Sequence, residues 1–204
     1  AMAVYEIVAD PSVARALDGT PLDSPHAFVE RFVASCEQPG AERLGAFEDD
    51  VLVGLLEIAR ASRARALHAA QLTLAVSARE QRRGVGEALL AAGLDACDRW
   101  LHLIRLDVEV LASAEGALRL FARHGFAIEV RRRAALLVDG ALADTVVMGR
   151  IRPGFTQAEG ALAPRPPLPP RARRVPESLT FRSARPEDAA ALSLTTAASK
   201  AQAA

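Results

Sequence analysis

Five prolines crowded into seven positions, Pro164, Pro166, Pro167, Pro169 and Pro170, followed at once by Arg171, Arg173 and Arg174, constrain this chain more than any other feature. Proline has no amide proton and a fixed φ, so residues 153–176 cannot form a helix or a central strand and read as an extended linker. The 204 residues are thereby divided unequally. Residues 1–152 are long enough to bury a core, whereas residues 177–204 are too few to form one alone. The short piece still has a pattern: residues 179–182 alternate as a strand, and Pro186 is placed to open a helix running toward Leu194. Such a tail docks on the main domain, exchanges with a second copy, or stays unfolded, and a homodimer formed through it is one arrangement this leaves open.

Within residues 1–152, periodicity predicts a mixed order of elements. Ser24 is an N-cap candidate for a helix carrying Phe28, Phe32 and Val33 that stops near Pro39-Gly40. Residues 44–47 and 51–58, joined by the acidic turn Glu48-Asp49-Asp50, read as a hairpin, and residues 68–76 as a long central strand. Apolar positions then follow a helical period over residues 86–100, an alternating one over 103–110, and a helical one over 114–123, closed by His124-Gly125. Asp139-Gly140 between residues 126–138 and 141–151 is a strong signal for a second hairpin. Strands, helix, strand, helix and hairpin together predict an α/β or α+β sheet with helices packed across it.

Charge and composition exclude several partners. With 25 basic and 25 acidic side chains the formal net charge is zero, and aromatic residues make up 4%, so neither the basic field nor the stacking platforms of a nucleic-acid binder are present. No run of about 18 apolar residues offers a membrane span. The start of the chain has no basic region or apolar core of signal-peptide form, which places the protein in the cytoplasm as an expectation. Cys36 and Cys97 fall in predicted helices and read as free thiols, and no cysteine or histidine cluster has metal-ligand spacing.

The segment that carries chemistry is residues 76–86, Val-Ser-Ala-Arg-Glu-Gln-Arg-Arg-Gly-Val-Gly, in which a strand turns through an arginine-rich loop into a helix. Gly84 and Gly86 remove side chains where backbone donors must approach a ligand, and a helix N-terminus adds positive potential, so the segment reads as an anion cradle or as a tight strand-to-helix turn. It has neither the G-x-x-x-x-G-K of a nucleotide P-loop nor the third glycine of a dinucleotide fingerprint.

This block resembles the GCN5-related N-acetyltransferases, whose signature Q/R-x-x-G-x-G/A is matched by Gln81, Gly84 and Gly86, and whose later pattern N-x-x-A-x-x-x-Y-x-x-x-G-F is matched at Ala117, Gly125 and Phe126. Residues 97–100, the hairpin at Asp139-Gly140 and residues 144–150 look like the bacterial subgroup that acetylates free L-amino acids. The resemblance implies a mostly antiparallel sheet with a splayed central strand pair and helices on both faces. It also implies acetyl-CoA as cosubstrate, a small-molecule amine as acceptor, direct attack in a ternary complex, and no metal. Backbone donors of Arg82, Arg83, Gly84, Val85, Gly86 and Glu87 would hold the pyrophosphate, with Arg79, Arg82 or Arg83 reaching the terminal phosphate. Leu74, Ala75 and Val76 would pair with the pantetheine arm. The tail, residues 179–192, resembles the opening strand and first helix of another domain of the same family.

Two positions depart from the family pattern. Its asparagine is Ala114, and its tyrosine, which steadies or protonates the departing thiolate, is Phe121, a side chain with no proton to give. A thiol with an ordinary pKa near ~8.5 leaves tolerably without such help, so transfer remains the expectation. The alternative is a catalytically weak or silent acyl-CoA-binding partner protein; a third reading makes the proline-rich linker a ligand for partner modules. To take the proton of the amine, Glu57 and His68 are the candidates, each with a competing structural reading as a solvated hairpin residue and a packed strand histidine; Glu109 is a third.

Overall fold

The computed structural model describes residues 1–15, 17, 24–36, 40–155 and 180–183. A seven-stranded sheet in the order β5-β6-β4-β3-β2-β1-β7 forms its centre. β1 (Ala41–Glu48) and β2 (Val51–Arg60) are the acidic-turn hairpin, with Asp49 and Asp50 at positive φ in the turn. β3 (Ala69–Val76) leads into α4 (Val85–Arg99), then β4 (Arg105–Leu111), α5 (Glu115–Arg123), and the hairpin of β5 (Ala127–Val138) and β6 (Ala141–Ile151) turning at Asp139-Gly140. Every strand and helix read from residues 24–151 forms within a few residues of its expected place. Their local signals agree with their tertiary setting, which is the condition for reading them locally.

The sheet is covered on both faces. α4 and α5 bury Leu56, Leu72, Leu89, Leu90, Leu106, Phe121 and Met148 on one side. On the other, α1 (Met2–Val8), α2 (Pro11–Ala14) and α3 (Pro25–Cys36) close over Phe47, Leu52, Leu55 and Ala75. Double cover explains why β2 is apolar almost without alternation. Ser24 does start α3, its Oγ accepting from the Ala27 amide at 3.2 Å. α1 and α2 were not anticipated, although Asp10 caps α2 by accepting from Ser12 and Pro11 opens it. Helix α4 lies so close on β2 that a Cβ at Gly93 would sit 2.0 Å from Leu56 Cδ2. Cys97, on the same helix, is fully buried, and burial pushes its thiol up to about 11; Cys36 is half-buried.

The strand of the tail is accounted for. β7 (Thr180–Ser183) pairs antiparallel with β1 of the same chain, Leu44 opposite Ser183 and Phe47 opposite Thr180, and covers the sheet edge that β1 would otherwise present. The proline-rich stretch beyond Phe155 and the helix expected after Pro186 lie outside the described residues.

Candidate active site

The sheet is antiparallel except at one place, and that place is the candidate site. β3 and β4 run parallel and pair only at Ala69–Arg105, Ala70–Leu106 and Gln71–Asp107, although both strands continue. β3 keeps its partner β2 as far as Val76, and β4 keeps β6 as far as Leu111, so the two halves of the sheet diverge as a fork. Backbone polarity in the fork follows from hydrogen-bond alternation. The Ala61 amide donates to Ala69 and the Ser77 amide to Val53, so odd-numbered residues of β3 bond β2, and the amides and carbonyls of Leu72, Leu74 and Val76 face the fork. By the same count, the Arg152 amide donates to Ile104 and that of Ala112 to Asp144, which turns Glu109 and Leu111 toward the fork from β4. Thus Leu74 and Val76 have the orientation expected for pairing with an extended ligand arm, whereas the backbone of Ala75 is committed to β2.

At the end of β3 the chain builds the cradle. Arg82 and Gly84 both adopt positive φ, 65° and 94°, so successive amides turn inward as in an anion nest. Gly84 is the N-cap of α4, and no side chain caps the helix. The amides of Val85, Gly86 and Glu87, which have no intrahelical acceptor by the geometry of a first turn, are therefore presented at the mouth of the fork. Gln81 anchors the loop, its Nε2 donating to the Val76 carbonyl at 3.2 Å. A Cβ at Gly86 would lie 3.6 Å from Val76 Cγ2, 3.8 Å from Leu74 Cδ2 and 3.6 Å from Leu120 Cδ2, so cradle, fork and α5 converge there. Leu120 was not singled out in the sequence, where it is one apolar position among several on a helix.

Arg83 reaches away from the cradle, to Glu48 on β1 at 3.2 Å and to Glu80. The charge of Glu48, then that of Glu80, raises its pKa above the ordinary value, which fits a strut between β1 and the loop. Glu87, in the first turn of α4, is held by Arg123 and, at 3.0 Å, by His124 Nε2 at the end of α5. Burial alone would raise the pKa of Glu87, but the hydrogen bond and charge of Arg123, followed by those of His124, outweigh it and leave the carboxyl below its usual range. A group whose folded pKa is depressed contributes stability above its unfolded value and loses that contribution as pH falls through the folded one. Glu87→Gln is accordingly expected to lower the urea midpoint at pH 7, with the gap to the parent chain closing below about pH 4. A gap independent of pH would assign the effect to packing.

The candidates for taking a proton are not brought together. His68 precedes β3 at the closed end of the fork, where its carbonyl accepts from the amides of Ile104 and Arg105. Eight residues of strand, about 26 Å, separate it from Val76. Glu57 points to the α3 face and is ion-paired at 2.7 Å with Arg43, whose guanidinium lies 5.0 Å from the centre of the Phe32 ring and binds Ser35. Phe121 is 3% exposed and stands edge-on to Phe126 at 5.3 Å, as part of the core beneath α5. Glu109 sits where the strands part. Among the described residues, no group of histidine, cysteine or acidic side chains has the arrangement of a metal site, and no helix is long and apolar enough to cross a membrane.

The model of the acetyltransferase (GNAT) family matches residues 3–126. The chain belongs to this family. L-amino acid N-acetyltransferase AaaT of Escherichia coli (strain K12) is 31% identical over 150 residues, 74% of this chain and 91% of that protein. Among solved structures, spermidine N-acetyltransferase from Vibrio cholerae in complex with CoA and spermine superposes with a TM-score of 0.66 at 17% identity, over 72% of this chain and 87% of the other. The yncA structure from Salmonella typhimurium, with its cofactor acetyl-CoA, gives 0.66 at 16% identity over 78% and 92%. The family assignment establishes acetyl transfer to an amine as the chemistry, and the mixed, mostly antiparallel sheet with helices is the architecture that the structural neighbours share.

Proposed function

We propose that the chain acetylates the amino group of a free amino acid by direct attack on acetyl-CoA within a ternary complex. The single observation that carries the reading is the fork, open to one side of Leu74 and Val76 and ending at the uncapped start of α4. The amides of residues 82–87 hold the pyrophosphate, and the fork-facing amides of Leu74 and Val76, with the Leu74 carbonyl, pair with the pantetheine arm as an added strand would. The thioester then lies between β3 and β4. An ammonium acceptor gives up two protons in all: one to a carboxylate, and one, as the carbon–nitrogen bond forms and the carbon–sulfur bond breaks, to the departing thiolate. The choice of amino acids rests on the likeness to AaaT over nearly all of that protein's length.

A screen of amino acids, polyamines and aminoglycosides for thiol release from acetyl-CoA tests the reading. Turnover with amino acids is the expected result; turnover confined to the other classes would overturn it. Ala114 and Phe121 favour the second reading, a silent acyl-CoA binder. Under the enzymatic reading Phe121→Tyr keeps acetyl-CoA affinity and raises kcat with an accepted amino acid, whereas a silent binder turns over nothing in either form.

A further inference from the structure

Glu109 and Arg132 form a pair of opposite charges at the point where β3 and β4 separate, on the face away from the cradle helix. The last parallel bridge is Gln71–Asp107, so the next residues on that face are Thr73 on one rim and Glu109 on the other. Leu106, Val108 and Val110 point into the core under α4 and α5, which turns Glu109 to the side covered by α1–α3. The Glu109 carboxylate does not point at random. Thr145 Oγ1, on a residue 1% exposed, donates to one oxygen, and Arg132 Nη1 donates to the other at 2.8 Å. Arg132 stands opposite Thr145 on the neighbouring strand, and its side chain is 57% exposed, so the outer edge of the guanidinium remains open to a ligand.

We infer that this pair recognises the acceptor as a zwitterion: Glu109 takes the ammonium and receives its first proton, and Arg132 binds the carboxylate. The inference rests on the amino-acid reading above and adds residues to it. A carboxylate with two occupied acceptor directions still has lone pairs for an ammonium, and a guanidinium engaged through one nitrogen still has donors for a second carboxylate. The acceptor reaches the thioester from the opposite face to the cradle, which is where a nucleophile must stand if acetyl-CoA enters along α4. His68 stands at the closed end of the fork, and Glu57, on the same face, stands one strand back from the rim, opposite Thr73 and bound to Arg43.

The test uses the full chain and compares an amino acid it turns over with the matching amine lacking the carboxylate. Arg132→Gln is expected to raise KM for the amino acid about 10-fold or more, as for loss of a charged hydrogen bond, and to leave KM for the amine unchanged. Glu109→Gln is expected to lower kcat on both on the order of 10²-fold, with recovery toward high pH as the free amine becomes available from solution. Calorimetric affinity for acetyl-CoA should stay unchanged in both variants, which separates acceptor recognition from a damaged fold, and Glu109→Asp should restore part of the rate. If the parent chain acetylates amino acids and both variants match it, the pair is overturned while the reading of function survives. If the parent chain acetylates no amino acid, both fail.

Discussion

Gly84→Val should bind acetyl-CoA on the order of 100-fold more weakly than the parent chain, whereas Gly86→Ala should fold as stably and keep its affinity, alanine being the alternative that the family pattern admits at that place. The position lies in the first turn of α4, where alanine is a better helix former than glycine by up to about 1 kcal/mol. The added methyl would find only ordinary contacts, at 3.6 Å from Leu120 and Val76 and 3.8 Å from Leu74, so nothing in the protein resists it. Those neighbours are walls of the fork, so the methyl packs against a wall that is already there. Gly84→Val is the disruptive change, because the position holds a φ of 94°, where a branched side chain costs about 1–2 kcal/mol in addition to obstructing the loop. Isothermal titration reads the affinity and thermal unfolding the stability. Full affinity in a well-folded Gly84→Val chain would show that the ligand lies elsewhere.

Asp98→Ala should cost about 3 kcal/mol, more than any exposed charge in the molecule. Arg150 on β6 has a side chain only 10% exposed, and both of its terminal nitrogens bond the Asp98 carboxylate, at 3.0 and 2.6 Å. Arg152 adds a bond to the Asp98 carbonyl at 2.9 Å, so three donors from one strand secure the last turn of α4. Removing the carboxylate leaves a buried guanidinium without its counter-charge, whereas exposed pairs such as Arg119–Glu115 contribute about 0–1 kcal/mol. For a chain of this size the melting temperature should fall by roughly 6–12 °C. The double variant Asp98→Leu with Arg150→Met should recover most of the loss, since it removes both charges from the interior. A fall below about 1 kcal/mol in Asp98→Ala alone would put the pair with the surface bridges.

Both experiments address the same helix, whose two ends do different work. Its start is uncapped by any side chain; its end is secured to β6 through Asp98. A helix is stiff over this length, so strain at Asp98 reaches the cradle as a tilt, and Asp98→Ala is therefore also a control on whether cradle geometry depends on that attachment.

The candidate site was legible in part. Gln81, Gly84 and Gly86 are close in sequence, and a strand running through a glycine-containing loop into a helix is a local event, so the loop followed from order alone. The strands, α4, α5 and both hairpins followed from periodicity and turn residues for the same reason. The tail strand was visible as an alternating stretch, but its seat beside β1 was not, because strand partners are chosen by exposed edges that periodicity does not describe. The orientation of Ala75 was likewise hidden: its neighbours Leu74 and Val76 turn their backbones to the fork only because β2 takes the odd-numbered residues of β3.

What this sequence determined by itself is the order of its elements, the glycine loop before α4 and the family, since each depends on residues close along the chain. Only the tertiary structure gave the surroundings of the three acidic or basic candidates, on which the choice proposed above rests. Glu57, His68 and Glu109 look alike as lone ionisable residues on strands. Pairing register then committed Glu57 to Arg43, left His68 where β3 and β4 still pair, and set Glu109 between Arg132 and Thr145 where they part. Register is a property of two strands at once, and a side chain's surroundings depend on residues distant in sequence, which is why that choice had to wait for the fold.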